Sequence, residues 1–182
     1  MSEVRTTILS EIPDGAIFKI GKYEFIKFIE ENGVVTAVSK DSLFDSRFGN
    51  NNNFAESTVL QKLKNNILPE IENLVGTENV LEFETDLLSL DGSAKHGTVR
   101  SKVSIPTFDF YRKNRAVFEK YKLDEWWWLA TPDSTSEYFN DSWCVCVSPS
   151  GYVYGNGCRN DCNIGVRPFW NFVSSIFVSY EG

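Results

Sequence analysis

Trp143-Cys144-Val145-Cys146-Val147-Ser148-Pro149-Ser150-Gly151-Tyr152-Val153-Tyr154 consists of two short alternating runs on either side of a turn that ends in glycine. Turn residues of that kind between apolar runs predict a β-hairpin. Side chains of a strand alternate between its faces, so Trp143, Val145 and Val147 share one face and Cys144 and Cys146 the other. Across the turn Val153 joins the first set, and Tyr152 and Tyr154 join the cysteines. The pattern predicts one core face and one outward face that carries thiols and phenols together.

Polar, aperiodic segments lie on both sides of this hairpin. Asp133 to Ser142 holds Tyr138, Phe139, Asn140 and Asp141; Gly155 to Asn163 holds Asn156, Cys158, Arg159, Asp161 and Cys162. Loops rich in Tyr, Ser, Asn and Gly on a rigid scaffold have the composition of adaptable recognition surfaces. The candidate ligand-binding set is therefore Tyr138, Phe139, Asn140, Asp141, Cys144, Cys146, Tyr152, Tyr154, Asn156, Cys158, Arg159, Asp161 and Cys162.

Upstream, Ala16 to Ser39 reads as antiparallel strands turning at Ile20-Gly21-Lys22 and at Glu31-Asn32-Gly33, with imperfect alternation that predicts cover on both faces. Asn50 to Asn53 reads as a surface loop. Ser57 is placed to cap a helix carrying Val59, Leu60, Leu63, Ile67 and Leu68 on one face, and Pro69 predicts a break, with at most a short second piece over Glu70 to Val75. Leu87 to Leu90 reads as a short buried strand closed by Asp91-Gly92. Pro106 to Tyr121 is a short helix or irregular segment. Glu125 to Ala130, with Trp126, Trp127 and Trp128 in succession, reads as a strand with large groups on both faces, ended by Thr131-Pro132.

A chain of 182 residues supports a single domain over 1–182 with a real core. The formal net charge of −7 excludes nucleic acid as a partner class, because affinity for a phosphate backbone comes from clustered Lys and Arg. No basic leader followed by an apolar stretch and no bilayer-length apolar run is present, so the expectation is neither a signal peptide nor membrane insertion. Export would then be by another route, such as lysis or a larger particle, and location is left open between phage- or prophage-encoded and cytoplasmic until release.

Trp127-Trp128-Leu129-Ala130-Thr131-Pro132, Trp143-x-Val145, Gly151-x-Val153 and Gly165-Val166-Arg167-Pro168 with Phe169-Trp170 together resemble an uncharacterised bacterial and phage domain family of C-type-lectin-like fold. Gly15 to Phe28 looks like that family's opening strand pair and Glu56 to Leu68 like its first helix; Ala130 departs from a more usual Arg. The resemblance implies an α+β, C-type-lectin-like (formylglycine-generating-enzyme-like) fold, with mixed antiparallel sheets and one or two helices. It is similar to the variable proteins of diversity-generating retroelements, in which Asn-type codons are mutated at their adenines. Such codons never yield Lys, Gln, Met, Glu or Trp, and the window from Ser134 to Asn163 contains no Lys, Gln or Met. Glu137 and Trp143 would be unmutated positions. The implied function is display of a diversified ligand-binding face at about 133–164, directed at a protein or cell-surface ligand, with homo-oligomer formation left open.

Other chemistries fit less well. The cysteines, as Cys-x-Cys and Cys-x-x-x-Cys, lack the usual zinc spacing, so no metal and no cofactor is expected. Cys144 and Cys146 are not placed to bond each other, although either could reach Cys158 or Cys162; the lack of a leader favours free thiols. His96 reads as a solvated loop histidine with no nucleophile beside it, and no catalytic residue is assigned. Gly165 is expected to permit a tight turn, and Arg167 to anchor loops through its fork of donors. The alternatives are a formylglycine-generating-type cysteine oxidase relative and a structural phage tail or fibre component.

Overall fold

A computed structural model describes residues 4–134, 141–159 and 163–182. The architecture is α+β, with mostly antiparallel sheets. Six strands run in the order β1 (Val4–Ile8), β13 (Phe177–Glu181), β2 (Ile17–Ile20), β3 (Tyr23–Glu31), β4 (Val34–Ser39) and β12 (Phe169–Val173). A second sheet has the order β10 (Val153–Gly157), β9 (Trp143–Val147), β8 (Trp127–Pro132), β11 (Gly165–Val166) and β5 (Phe44–Asp45). A two-stranded ribbon, β6 (Phe83–Asp86) with β7 (Thr98–Ser101), completes the strands.

The central strands of both large sheets are covered on both faces, which explains why they do not alternate cleanly. Successive residues of β3 and β8 enter different cores: Phe25 and Trp128 join one apolar cluster, whereas Ile26 and Trp127 join a second. Helices α3 (Phe108–Lys113) and α4 (Arg115–Lys120) cover the second cluster with Tyr111 and Phe118. The first cluster is covered by the helix that begins at α1 (Thr58–Lys62), where Ser57 Oγ accepts from Leu60 N at 3.0 Å as its cap.

Pro69 does not end that helix. A π-helical stretch over Leu63–Ile67 leads directly into α2 (Leu68–Val75), with Pro69 in the first turn of α2, where proline is best tolerated. Nor do Leu87 to Leu90 form a strand. Leu87 is buried, but Leu88 and Leu90 face outward, and the strand lies before them at β6. The Asn-Gly turn behaves as its residues predict, with φ of 51° at Asn32 and 78° at Gly33, both left-handed as a tight hairpin requires.

Two signature residues are structural. Arg167 is buried; its Nε donates to Ser39 O at 3.1 Å and its guanidinium to Lys40 O at 2.8 Å, fixing the end of β4 as expected. Its plane lies over Trp127 and Phe118, and burial away from any paired carboxylate lowers its pKa to about 10. Gly165, by contrast, is no turn residue. It is a strand position where a Cβ would collide with Ser42 Oγ and lie 3.1 Å from Trp126 O, so close approach of neighbouring chain excludes a side chain.

Candidate functional site

The hairpin forms as its residues predict, and its register sets the face of every candidate. Val153 pairs with Val147, Tyr154 with Cys146, and Asn156 with Cys144. β10 runs through Gly157, so Gly155, Asn156 and Gly157 belong to the strand and not to the loop that follows. Tyr154 thus shares a face with the cysteines, as the alternation requires. That face is not outward at β9.

Cys144, Cys146 and Cys158 are buried, with fractional exposures of 1%, 0% and 0%. Their assignment to the ligand-contacting surface is corrected here. β9 lies between β8 and β10, and its cysteine side packs into the first core cluster while Val145 and Val147 pack into the second. Cys144 and Cys158, diagonal across the ribbon with Cα atoms 5.4 Å apart, form a disulfide, so the expectation of free thiols fails for this pair. Cys146 Sγ lies 3.6 Å from Tyr154 O. With Cys144 oxidised and Cys146 enclosed, the arrangement offers no solvent-facing thiol for cysteine oxidation chemistry among these residues.

Aromatic groups do reach solvent here. Tyr152 and Tyr154 are 64% and 50% exposed: Tyr152 sits at the turn just before β10, and Tyr154 on β10, an edge strand that extends beyond the core cover. Tyr154 packs edge-on against Trp126, with centroids 5.3 Å apart. Trp143, expected in the core, is instead 50% exposed on the opposite side of the ribbon. It lies over Gly155, where a Cβ would stand 3.5 Å from its ring and 3.4 Å from the Asp133 carboxylate. Arg159 is exposed, with Nε donating to Asn50 O, and Asp141 and Asn156 are half-buried. Tyr138, Phe139, Asn140, Asp161 and Cys162 lie outside the described residues.

What holds the ends of this region is the asparagine run, which is more than a surface loop. Asn52 is fully buried, and its Nδ2 donates to Ser134 O at 2.7 Å and Trp143 O at 3.1 Å. Its own N–H donates to Asp141 O at 2.8 Å, and Gly49 N donates to Cys158 O at 3.2 Å. Because the Asn52 amide nitrogen serves two carbonyls, its Oδ1 must be the acceptor in the 2.9 Å contact with His96 Nε2. That fixes the proton on His96 Nε2. His96 is therefore not a solvated histidine but a half-buried strut whose pKa is pushed down, first by burial and then by Lys95.

In comparisons with protein-family models, curated proteins and solved structures, nothing matches the chain.

A third segment, 88–92, supports the same base. Leu90 N donates to Pro132 O at 3.0 Å, and Ser134 Oγ donates to Asp91 Oδ2 at 2.6 Å. Burial, and then the Asp91 charge, raise the pKa of Asp133. Sequence reasoning missed Asn52 and His96 because four consecutive asparagines read as polar filler. Buried Phe48 and Phe54 on either side of the run are the signal that it is held at both ends. No metal-binding group of three or more His, Cys, Asp or Glu is found among the described residues, and no described helix is long and apolar enough to cross a membrane.

Proposed function

We propose that this chain is a non-catalytic ligand-binding protein of C-type-lectin-like fold that recognises a protein or cell-surface partner through the β9–β10 ribbon and its flanking loops. The observation that carries this reading is the exposure of Tyr152 and Tyr154 on a ribbon otherwise fixed by a disulfide and by Asn52. Exposed tyrosines on a cross-linked ribbon supply contact area at low entropic cost, and a few such anchors dominate many interfaces. The fold reading draws support from position. Gly15 to Phe28 contains the β2–β3 pair, 56–68 is largely helical, and Gly165 and Arg167 each have a packing role.

The same reading makes the chain a variable protein of a diversity-generating retroelement, with a narrower variable set than the residue types alone suggest. Cysteines inside the core cannot be freely exchanged. Tyr152, Tyr154, Asn156, Arg159 and Asp141 are the described positions left to vary. The test is deep sequencing of this coding region across a population together with a search for a near-copy template. Substitutions concentrated at adenines of these codons, with Cys144 and Cys158 constant, are expected. Substitutions spread evenly along the chain, with no template, defeat the proposal. Alanine at Tyr152 and Tyr154 together is expected to leave Tm within about 2 °C of the parent, since exposed surface changes are usually within ~0.5 kcal/mol; a large loss would place them in the core.

A further inference from the structure

A cleft of about 510 Å³, sharing no residue with the ribbon face, lies between β6, β12, the 88–92 segment and the first turn of α3. That volume is within the range of small-molecule sites, roughly 300–1,000 Å³. Its apolar lining is aromatic and half-exposed. Phe169 stands between Phe83 and Phe110, with centroid separations of 5.2 and 4.9 Å, and Phe108 lines the same cleft. The Phe83–Phe169 contact is tilted and the Phe110–Phe169 contact edge-to-face, so both ring edges and ring faces are offered to an apolar body, and the faces favour a nearby cation.

The polar lining has a definite sign. Glu84, Asp86 and Asp109 line the cleft against a single guanidinium, Arg112. Arg112 is held by Asp109 at 2.9 Å and lies over the Phe108 ring, and Glu84 is paired with Arg100 at 3.2 Å. Among the described residues no cation lies within ion-pair distance of Asp86. Asp86 is exposed, and one of its oxygens accepts from Leu88 N at 3.0 Å, which restrains the carboxylate at the rim of the cleft.

We propose that this cleft binds an amphipathic organic cation, with an aromatic body on the phenylalanine floor and a primary ammonium at Asp86. An anionic ligand of the same shape meets uncompensated negative charge there, and the net charge of −7 of the whole chain disfavours its approach. The proposal goes beyond the ribbon reading and does not depend on it.

The test titrates the full chain, followed by amide ¹H–¹⁵N correlation spectra, with three probes sharing one ring system: tryptamine, tryptophol and indole-3-acetate. Tryptamine is expected to shift amides of 83–92 and 107–112 and to bind about tenfold more tightly than indole-3-acetate, with tryptophol between. Asp86→Asn keeps an oxygen to accept from Leu88 N while removing the charge. It is expected to weaken tryptamine about five- to tenfold, to the level of tryptophol, and to leave tryptophol unchanged. Equal binding of the three probes, tryptamine binding insensitive to Asp86→Asn, shifts elsewhere, or no binding at all would each overturn the proposal.

Discussion

Replacing Asn52 with alanine should cost far more than replacing any other residue of the asparagine run. The side chain makes three hydrogen bonds: two from Nδ2, to Ser134 O and Trp143 O, and one from His96 Nε2 to Oδ1. At about 1 kcal/mol net for each, the loss is roughly 3 kcal/mol, and more if the released carbonyls stay buried without water. For a chain of this length each kcal/mol moves Tm by about 2–4 °C, so a fall of about 6–12 °C is expected. Asn52→Asp keeps the size and the acceptor for His96, but puts a carboxylate oxygen against two carbonyls. It should be at least as destabilising as alanine near neutral pH. Asn50→Ala, at an exposed position of the same run, is the control and should move Tm by less than about 2 °C. Hydrogen exchange supplies a local readout, because the Asn52 and Gly49 amides donate across this junction, to Asp141 O and Cys158 O, and should lose protection in Asn52→Ala. If Asn52→Ala melts within about 2 °C of the parent, the latch is not what holds the flanking segments.

Two further outcomes follow from the same region. Reducing the Cys144–Cys158 bond, which closes a loop with a sequence separation of 14, should remove about 3 kcal/mol; melting curves with and without reductant, with thiols counted by mass, check this. An unchanged Tm after verified reduction would contradict it. His96 carries a pH signature. Its folded pKa lies below its ordinary 6.5, so its contribution is fully present above 6.5 and is lost as pH falls through the lower folded value. The difference in stability between the parent and His96→Gln should therefore shrink on acidification below 6.5, and a difference independent of pH from 7.5 to 5 would refute the assignment.

Much of the ribbon was legible from residue types, and its depth in the molecule was not. Period-two alternation gave the correct pairing of faces for Cys144, Cys146 and Tyr154, and the turn residues placed the reversal. Alternation says which side chains share a face but not whether that face is solvated. That depends on what lies above it, and here the cover is Phe48, Phe54 and the α1 region, some ninety residues earlier in the sequence. The Pro69 misjudgement has a local cause. A proline is best tolerated in the first turn of a helical segment, and the change from π to α geometry at Leu68 puts Pro69 in such a turn. The strand read at Leu87 to Leu90 was displaced by a few residues, because consecutive leucines outweighed the less apolar Phe83–Asp86 that actually pairs.

The burial of the cysteines changes what the exposed aromatics can do. Had thiols and phenols faced outward together, the ribbon would have been a reactive and adaptable patch whose chemistry depended on redox state. Instead the thiol side packs into the core and the disulfide fixes the end of the ribbon remote from the turn, so Tyr154 projects from a strand tied to the core, with Tyr152 beside the turn that precedes it. Rigid anchors lose less entropy on binding than mobile ones, and on the proposed reading variation in what they recognise would come from changing the side chains themselves. The division of labour is physical. The Asn52 latch, the disulfide and Arg167 tolerate little change because each leaves buried partners behind when removed, whereas the edge positions of β10 touch little that would be left unpaired. A face built this way can accept many sequences on one scaffold.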